Sequence, residues 1–170
     1  MRVTRTLIAG CALAGVVVAL TTGCGGTSTA SASSDSATVQ RDADLYQIDQ
    51  IEAKWHEATS HHNIDLMMSL WAPGAVFNIG TATYTGKAQI RNFFLHTNPA
   101  FSHHWVSDTP SYKIRTTVNG DKGTIYFECH YIDPKTSKVV KVVSVNHNVQ
   151  KIGGKWLIVD SAGSNATLSP

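Results

Sequence analysis

Histidine is the residue type in this chain best suited to chemistry. The 170-residue sequence carries eight, and a neutral imidazole titrates close enough to pH 7 both to take and to give a proton. His104 opens a strand-like run in the context His104-Trp105-Val106-Ser107-Asp108. Alternation sets His104, Val106 and Asp108 on one face. Asp108 then lies about 13 Å along the strand, at about 3.3 Å per residue, too far to touch that imidazole. His147 alternates with Val143, Val145 and Val149 on an apolar strand face. A lone histidine there is more often a satisfied core residue than a ligand, but pointing inward it would share an interior cavity with His104. His104 is the first acid/base candidate, with His147 as its helper. His130 is out of phase with Ile125, Phe127, Cys129 and Tyr131, and reads as an outward residue beside Glu128 and Tyr126. His61-His62 and His103-His104 hint at metal. Adjacent residues on a strand face opposite ways, however, and neither pair has His-x-x-x-His spacing or a nearby cysteine set. No metal and no cofactor are expected.

Aromatic residues must supply the walls of any such cavity. Trp55, Phe77, Phe127 and Tyr131 are best placed to line it, while Trp71, Phe93, Phe94 and Trp156 fit core positions. A largely apolar pocket holding one or two imidazoles suits a small hydrophobic ligand with a hydroxyl or carbonyl.

The elements that position these residues follow from periodicity. Leu45, Ile48, Ile51, Trp55 and Ala58 recur at helical spacing. Asp44 with Gln47 fits a capping box, so a first helix is predicted from about Asp44 to Ser60. Asn63 is a plausible N-cap for a second helix with Leu66, Met67, Leu70 and Trp71 on its apolar face, stopped by Pro73-Gly74. A strand over Ala75 to Ile79, a turn and Tyr84-Thr85 lead to a third helix bearing Ile90, Phe93 and Phe94, closed by Asn98-Pro99. From His103 the period becomes two. Strands are predicted at 104–118, 124–132, 139–151 and 156–161, joined by Asn119-Gly120-Asp121, Asp133 to Ser137 and Gly153-Gly154. Helices first and long antiparallel strands later mean α+β.

The first residues read as a targeting segment. Arg2 and Arg5 precede an uncharged run from Leu7 to Leu20, shorter than the roughly 20 residues that span a bilayer. Leu20-Thr21-Thr22-Gly23-Cys24 then resembles a bacterial lipobox, with Leu20 one position further from the cysteine than usual. By that resemblance residues 1–23 are a signal peptide, and Cys24 is lipidated and holds the domain on the outer face of the cell membrane; plain secretion is the alternative. Residues 24–40, rich in Gly, Ser, Thr and Ala, read as a flexible tether, residues 41–163 as the domain and 164–170 as a frayed tail. Loss of Arg2 and Arg5 takes Lys plus Arg from 14 to 12, against 12 acids. The mature chain is formally neutral, with no basic field for nucleic acid. Cys129 alone would remain, so an intramolecular disulfide is excluded.

Three helices, a short strand pair between the second and third, and then long antiparallel strands resemble the nuclear transport factor 2-like superfamily. Within it the chain is most similar to the SnoaL-like branch. The resemblance rests on Asn63 to Trp71 followed by Ala72-Pro73-Gly74-Ala75-Val76-Phe77, on Tyr84-Thr85-Gly86 through Phe94, on His104 to Asp108, and on Gly154-Lys155-Trp156-Leu157-Ile158-Val159. It implies a cone: three N-terminal helices packed on a strongly bent antiparallel sheet, with an apolar cavity at the wide end. It also implies that a histidine at the place of His104 faces the cavity. Three family chemistries lose their central residues here. Thr59-Ser60 and Ile79 stand where a dehydratase-like site keeps a Tyr-Asp pair and a tyrosine. Gly74 and Asn78 stand where an isomerase-like site keeps its carboxylate, and no Asp-Arg-Asp relay is present. The first expectation is an exported domain that binds a small apolar ligand or an envelope protein without catalysis. The alternatives are a lyase or isomerase on a polyketide- or steroid-like substrate, with His104 as acid/base, and a structural domain that forms a homodimer.

Overall fold

The structure is a computed structural model that describes residues 29–107 and 113–167. A long helix, α1 (Thr29–Ser60), is followed by α2 (Ile64–Ser69), strands β1 (Trp71–Ile79) and β2 (Ala82–Thr85), and helices α3 (Gly86–His96) and α4 (Pro99–Ser102). Five strands complete the chain: β3 (Val106–Ser107), β4 (Ile114–Asn119), β5 (Lys122–Asp133), β6 (Lys138–Ile152) and β7 (Lys155–Thr167). The fold is α+β, with one curled sheet in the order β2-β1-β7-β6-β5-β3, and β4 pairs with β5 as well. All pairings are antiparallel except β1 with β7, which run parallel.

The inner face of the sheet follows from its register. Ile125, Phe127, Cys129 and Tyr131 of β5 oppose His147, Val145, Val143 and Lys141 of β6. The α1 stripe Ile48, Ile51, Trp55 and Ala58 packs onto this face, and all four are buried. Gly123 lets the helix come close: a Cβ there would meet the Thr117 carbonyl oxygen and crowd the Ile48 side chain. Trp71, Phe94 and Phe127 are fully buried, each worth roughly 1.5–3 kcal/mol of apolar burial.

Several boundaries differ from the sequence reading, each for a local reason. Helix α1 begins at Thr29 rather than Asp44, so part of the expected tether is helical. Extending an established helix costs little once its packed half is formed. Asp44 is not a cap. It is buried, accepts hydrogen bonds from Lys151 Nζ (2.6 Å), Trp156 Nε1 (3.0 Å) and Gln40 Nε2 (3.2 Å), and these partners hold its pKa below the ordinary value. Pro73-Gly74 does not stop a helix: α2 ends at Ser69 and β1 runs through them, with a register break between Trp71 and Val76. A proline without an N–H is tolerated at such a bulge. Asn98-Pro99 opens α4 instead of closing α3. The Asn98 side chain accepts from Ala100 N (2.9 Å), with Pro99 in the first turn. Strand β7 extends to Thr167, which pairs with Val142, so the strand continues past the expected start of the tail. Among the described residues, no helix is long and apolar enough to cross a membrane.

Candidate functional site

Helix α1 presents polar as well as apolar residues to the sheet. Glu52, His56 and Thr59 recur at helical spacing, and all are buried. His56 Nε2 lies 3.1 Å from Glu52 Oε1, one turn back on the helix. His56 Nδ1 lies 3.0 Å from Ser107 Oγ. If Nε2–H donates to the carboxyl group, Nδ1 accepts from the serine hydroxyl, so the network selects the tautomer. Cys129 Sγ sits 3.6 Å from His56 Nε2, and burial pushes its thiol pKa far up. Ser107 is held in place by Ser60 at the end of α1: its N–H donates to Ser60 Oγ at 2.8 Å, and Ser60 Oγ donates back to its carbonyl at 3.2 Å.

Tyr131 carries this polar group to a cavity. It lies opposite Ser107 across the β3–β5 pair. Its buried hydroxyl is in reach of Cys129, Trp55 and Thr59, and burial holds its pKa well above the ordinary phenol value. The phenol is near Trp55 Nε1 and Thr59 Oγ1, yet neither atom closes a hydrogen bond of good geometry with any described residue. Trp55 and Tyr131 form one wall of a cavity of about 40 Å³. Phe77, Phe93, Val143 and Val145 supply its apolar side; Asn98, Pro99 and Ala100 at the start of α4 close it, and Lys141 also reaches it. That volume holds a few water molecules, well below the roughly 300 Å³ of a typical small ligand pocket. A larger occupant requires part of this wall to move.

The expected site residues fall into different places. Trp55, Phe77 and Tyr131 line the cavity. Phe127 is fully buried against Trp55, with ring centroids 5.7 Å apart, and does not line it. His147 points inward but is sealed off, with Trp71 at 5.3 Å, Trp55 at 5.5 Å, Phe127 at 6.2 Å and Phe77 at 6.3 Å between ring centroids. Neither of its ring nitrogens has a hydrogen-bond partner among the described residues, and burial lowers its pKa to about 3.

His104 is corrected. It is exposed, sits in the turn after α4 with φ +57°, and packs its ring against His62 at 4.6 Å. The segment expected as strand is taken up by α4 and its turn, and β3 covers only Val106–Ser107, so alternation counted from His104 does not apply. His104 and His147 share no cavity. Asp108, Cys24 and the signal segment lie outside the described residues.

Glu52, His56, Ser107 and Lys141 were not identified from the sequence. Three of them had a legible signal. Glu52 and His56 directly follow Ile51 and Trp55 on the buried stripe, and Lys141 continues the Val143, Val145, His147 alternation by one step.

The fold is that of the nuclear transport factor 2-like proteins. A protein of this kind with a cystatin-like fold from Novosphingobium aromaticivorans superposes with a TM-score of 0.65 at 14% identity, covering 83% of this chain and 91% of its own. A proposed dehydratase of the same fold family from Streptomyces avermitilis gives 0.60 at 13%, covering 75% and 99%. A ketosteroid isomerase-like protein from Erwinia carotovora atroseptica gives 0.57 at 13%, covering 75% and 98%. The family model of the SnoaL-like domain matches residues 53–157, and the chain belongs to that family. No curated protein matches it.

Proposed function

We propose that this SnoaL-like domain binds a small apolar ligand bearing an oxygen atom, in the cavity behind α4, and does not transform it. The observation that carries this reading is a pair of buried polar atoms beside the Tyr131 hydroxyl, Trp55 Nε1 and Thr59 Oγ1, that close no hydrogen bond of good geometry with any described residue. An indole N–H can only donate, and leaving a buried donor unpaired costs about 1–3 kcal/mol. A ligand oxygen would satisfy it. Native mass spectrometry of protein purified from its own host tests the reading. A retained small molecule, lost in a Val143→Trp variant that fills the cavity, is expected. A bare polypeptide mass from a host extract handled without organic solvent contradicts it.

The proposal extends to the chain's address. Export and lipid attachment at Cys24 would hold the domain on the outer face of a bacterial cell membrane, where apolar molecules partition. Cys24→Ala is expected to release the protein from the membrane fraction, and its retention there overturns the anchor.

The Glu52–His56–Ser107 line favours a second reading, proton transfer of the lyase or isomerase kind. His56, oriented by Glu52, would replace His104 as the acid/base, exchanging protons through the Ser107 hydroxyl. Incubating the retained ligand with the protein in deuterium oxide separates the two. Binding alone leaves its carbon-bound hydrogens unexchanged.

A further inference from the structure

Lys141 narrows the class of ligand, an inference that rests on the binding reading above. It is the only charged residue in the cavity wall among those described. It stands on β6 directly opposite Tyr131 of β5, on the inner face with Val143 and Val145. The side chain is half-buried. The ion pairs among the described residues use His56, Arg91, Lys113 and Lys151, and none reaches Lys141. Its ammonium has no carboxylate partner among the described residues.

Two further donors belong to residues of the same cavity wall. Tyr131 faces Lys141 across the strand pair, where directly opposed residues have Cβ atoms about 4.5–5.5 Å apart. Trp55 Nε1 is buried beside the Tyr131 hydroxyl and closes no hydrogen bond of good geometry with a described residue. One cation and two neutral donors match the two oxygens and single charge of a carboxylate. A phosphate dianion would need a second cation, and among the described residues no arginine or other lysine lines the cavity. The remaining wall, with Phe77, Phe93 and Val145, is apolar.

We propose that the ligand is an apolar monocarboxylate whose carboxylate is held by Lys141, Tyr131 and Trp55 and whose tail lies against Phe77 and Phe93. Binding displaces part of the cavity wall.

Isothermal titration of the full chain with octanoate, octan-1-ol and octyl phosphate tests the assignment. Octanoate is expected to bind at least tenfold more tightly than octan-1-ol or octyl phosphate. Lys141→Met should weaken octanoate at least tenfold and leave octan-1-ol unchanged, and Lys141→Arg should retain the preference. Equal binding of octanoate and octan-1-ol, a preference that survives Lys141→Met, or tighter binding of octyl phosphate overturns the carboxylate and leaves the cavity reading standing. Binding of none of the probes to the wild-type chain, with its fold intact by circular dichroism, overturns both.

Discussion

His147 and His56 are both wholly buried, and their rings flank the same phenylalanine, with centroids 6.2 and 6.1 Å from Phe127. They differ in their partners. His147 is enclosed by aromatic rings and has no hydrogen bond to a described residue, so its proton is driven off and it behaves as an apolar filler. His56 meets Glu52, Ser107 and Cys129, and through Tyr131 this group adjoins the cavity. Burial alone therefore says little about function. A buried imidazole becomes informative when a carboxyl group orients it and an opening lies within reach.

The contrast can be broken from either side. Trp71→Ala removes the His147 enclosure and should give the largest loss, about 4 kcal/mol in urea unfolding, with no effect on octanoate affinity if the protein is kept folded. His56→Ala takes one partner from the buried Glu52 carboxyl and should cost about 3 kcal/mol. A cost below about 1 kcal/mol would show that the two histidines are equivalent fillers. His147 gives the protein a pH dependence of defined sign. Its unfolded form takes up a proton below about pH 6.5, and its folded form does so only near 3. Its contribution is therefore complete above pH 6.5 and is lost as pH falls toward 3, by about 2 kcal/mol between pH 7 and pH 5. His147→Leu should flatten that part of the stability profile, and an unchanged slope would show that the imidazole reaches water. The smallest change is expected at His104. His104→Gly relieves a positive φ and should stabilise by about 0.5–1 kcal/mol, with probe binding unaltered.

The fold was legible because its signals are periodic. The α1 stripe, the alternation of β5 and β6, and the Asn63 cap, which accepts from Leu66 N at 3.0 Å, are each set by neighbours in sequence. The places that misled involve one residue type with two uses. Pro73 reads as a helix stop and serves at a bulge; Asn98-Pro99 reads as a helix end and is the start of α4. The site was less legible for a related reason. Reading α1 for apolar residues passes over Glu52 and His56 on the same face, because a buried polar residue is allowed only by partners from distant strands. Ser107 comes from β3, 51 residues from His56, and no local pattern announces that contact. His104 drew attention through the family resemblance, and the short helix before it turned it outward.

Trp55 and Trp71 offer the most direct test of the claim that one part of this core is a binding site and the other is not. Their rings lie 6.0 Å apart, and both indole nitrogens are buried without a hydrogen bond of good geometry to a described residue, but of the two only Trp55 lines the cavity. The chain has four tryptophans, so each indole N–H signal can be assigned in a nitrogen-15 spectrum by single Trp→Phe variants. Titration with octanoate should move the Trp55 signal downfield as its N–H gains an acceptor, while Trp71 moves far less. A spectrum in which Trp55 stays fixed at saturating octanoate, or in which Trp71 moves more, would contradict the account.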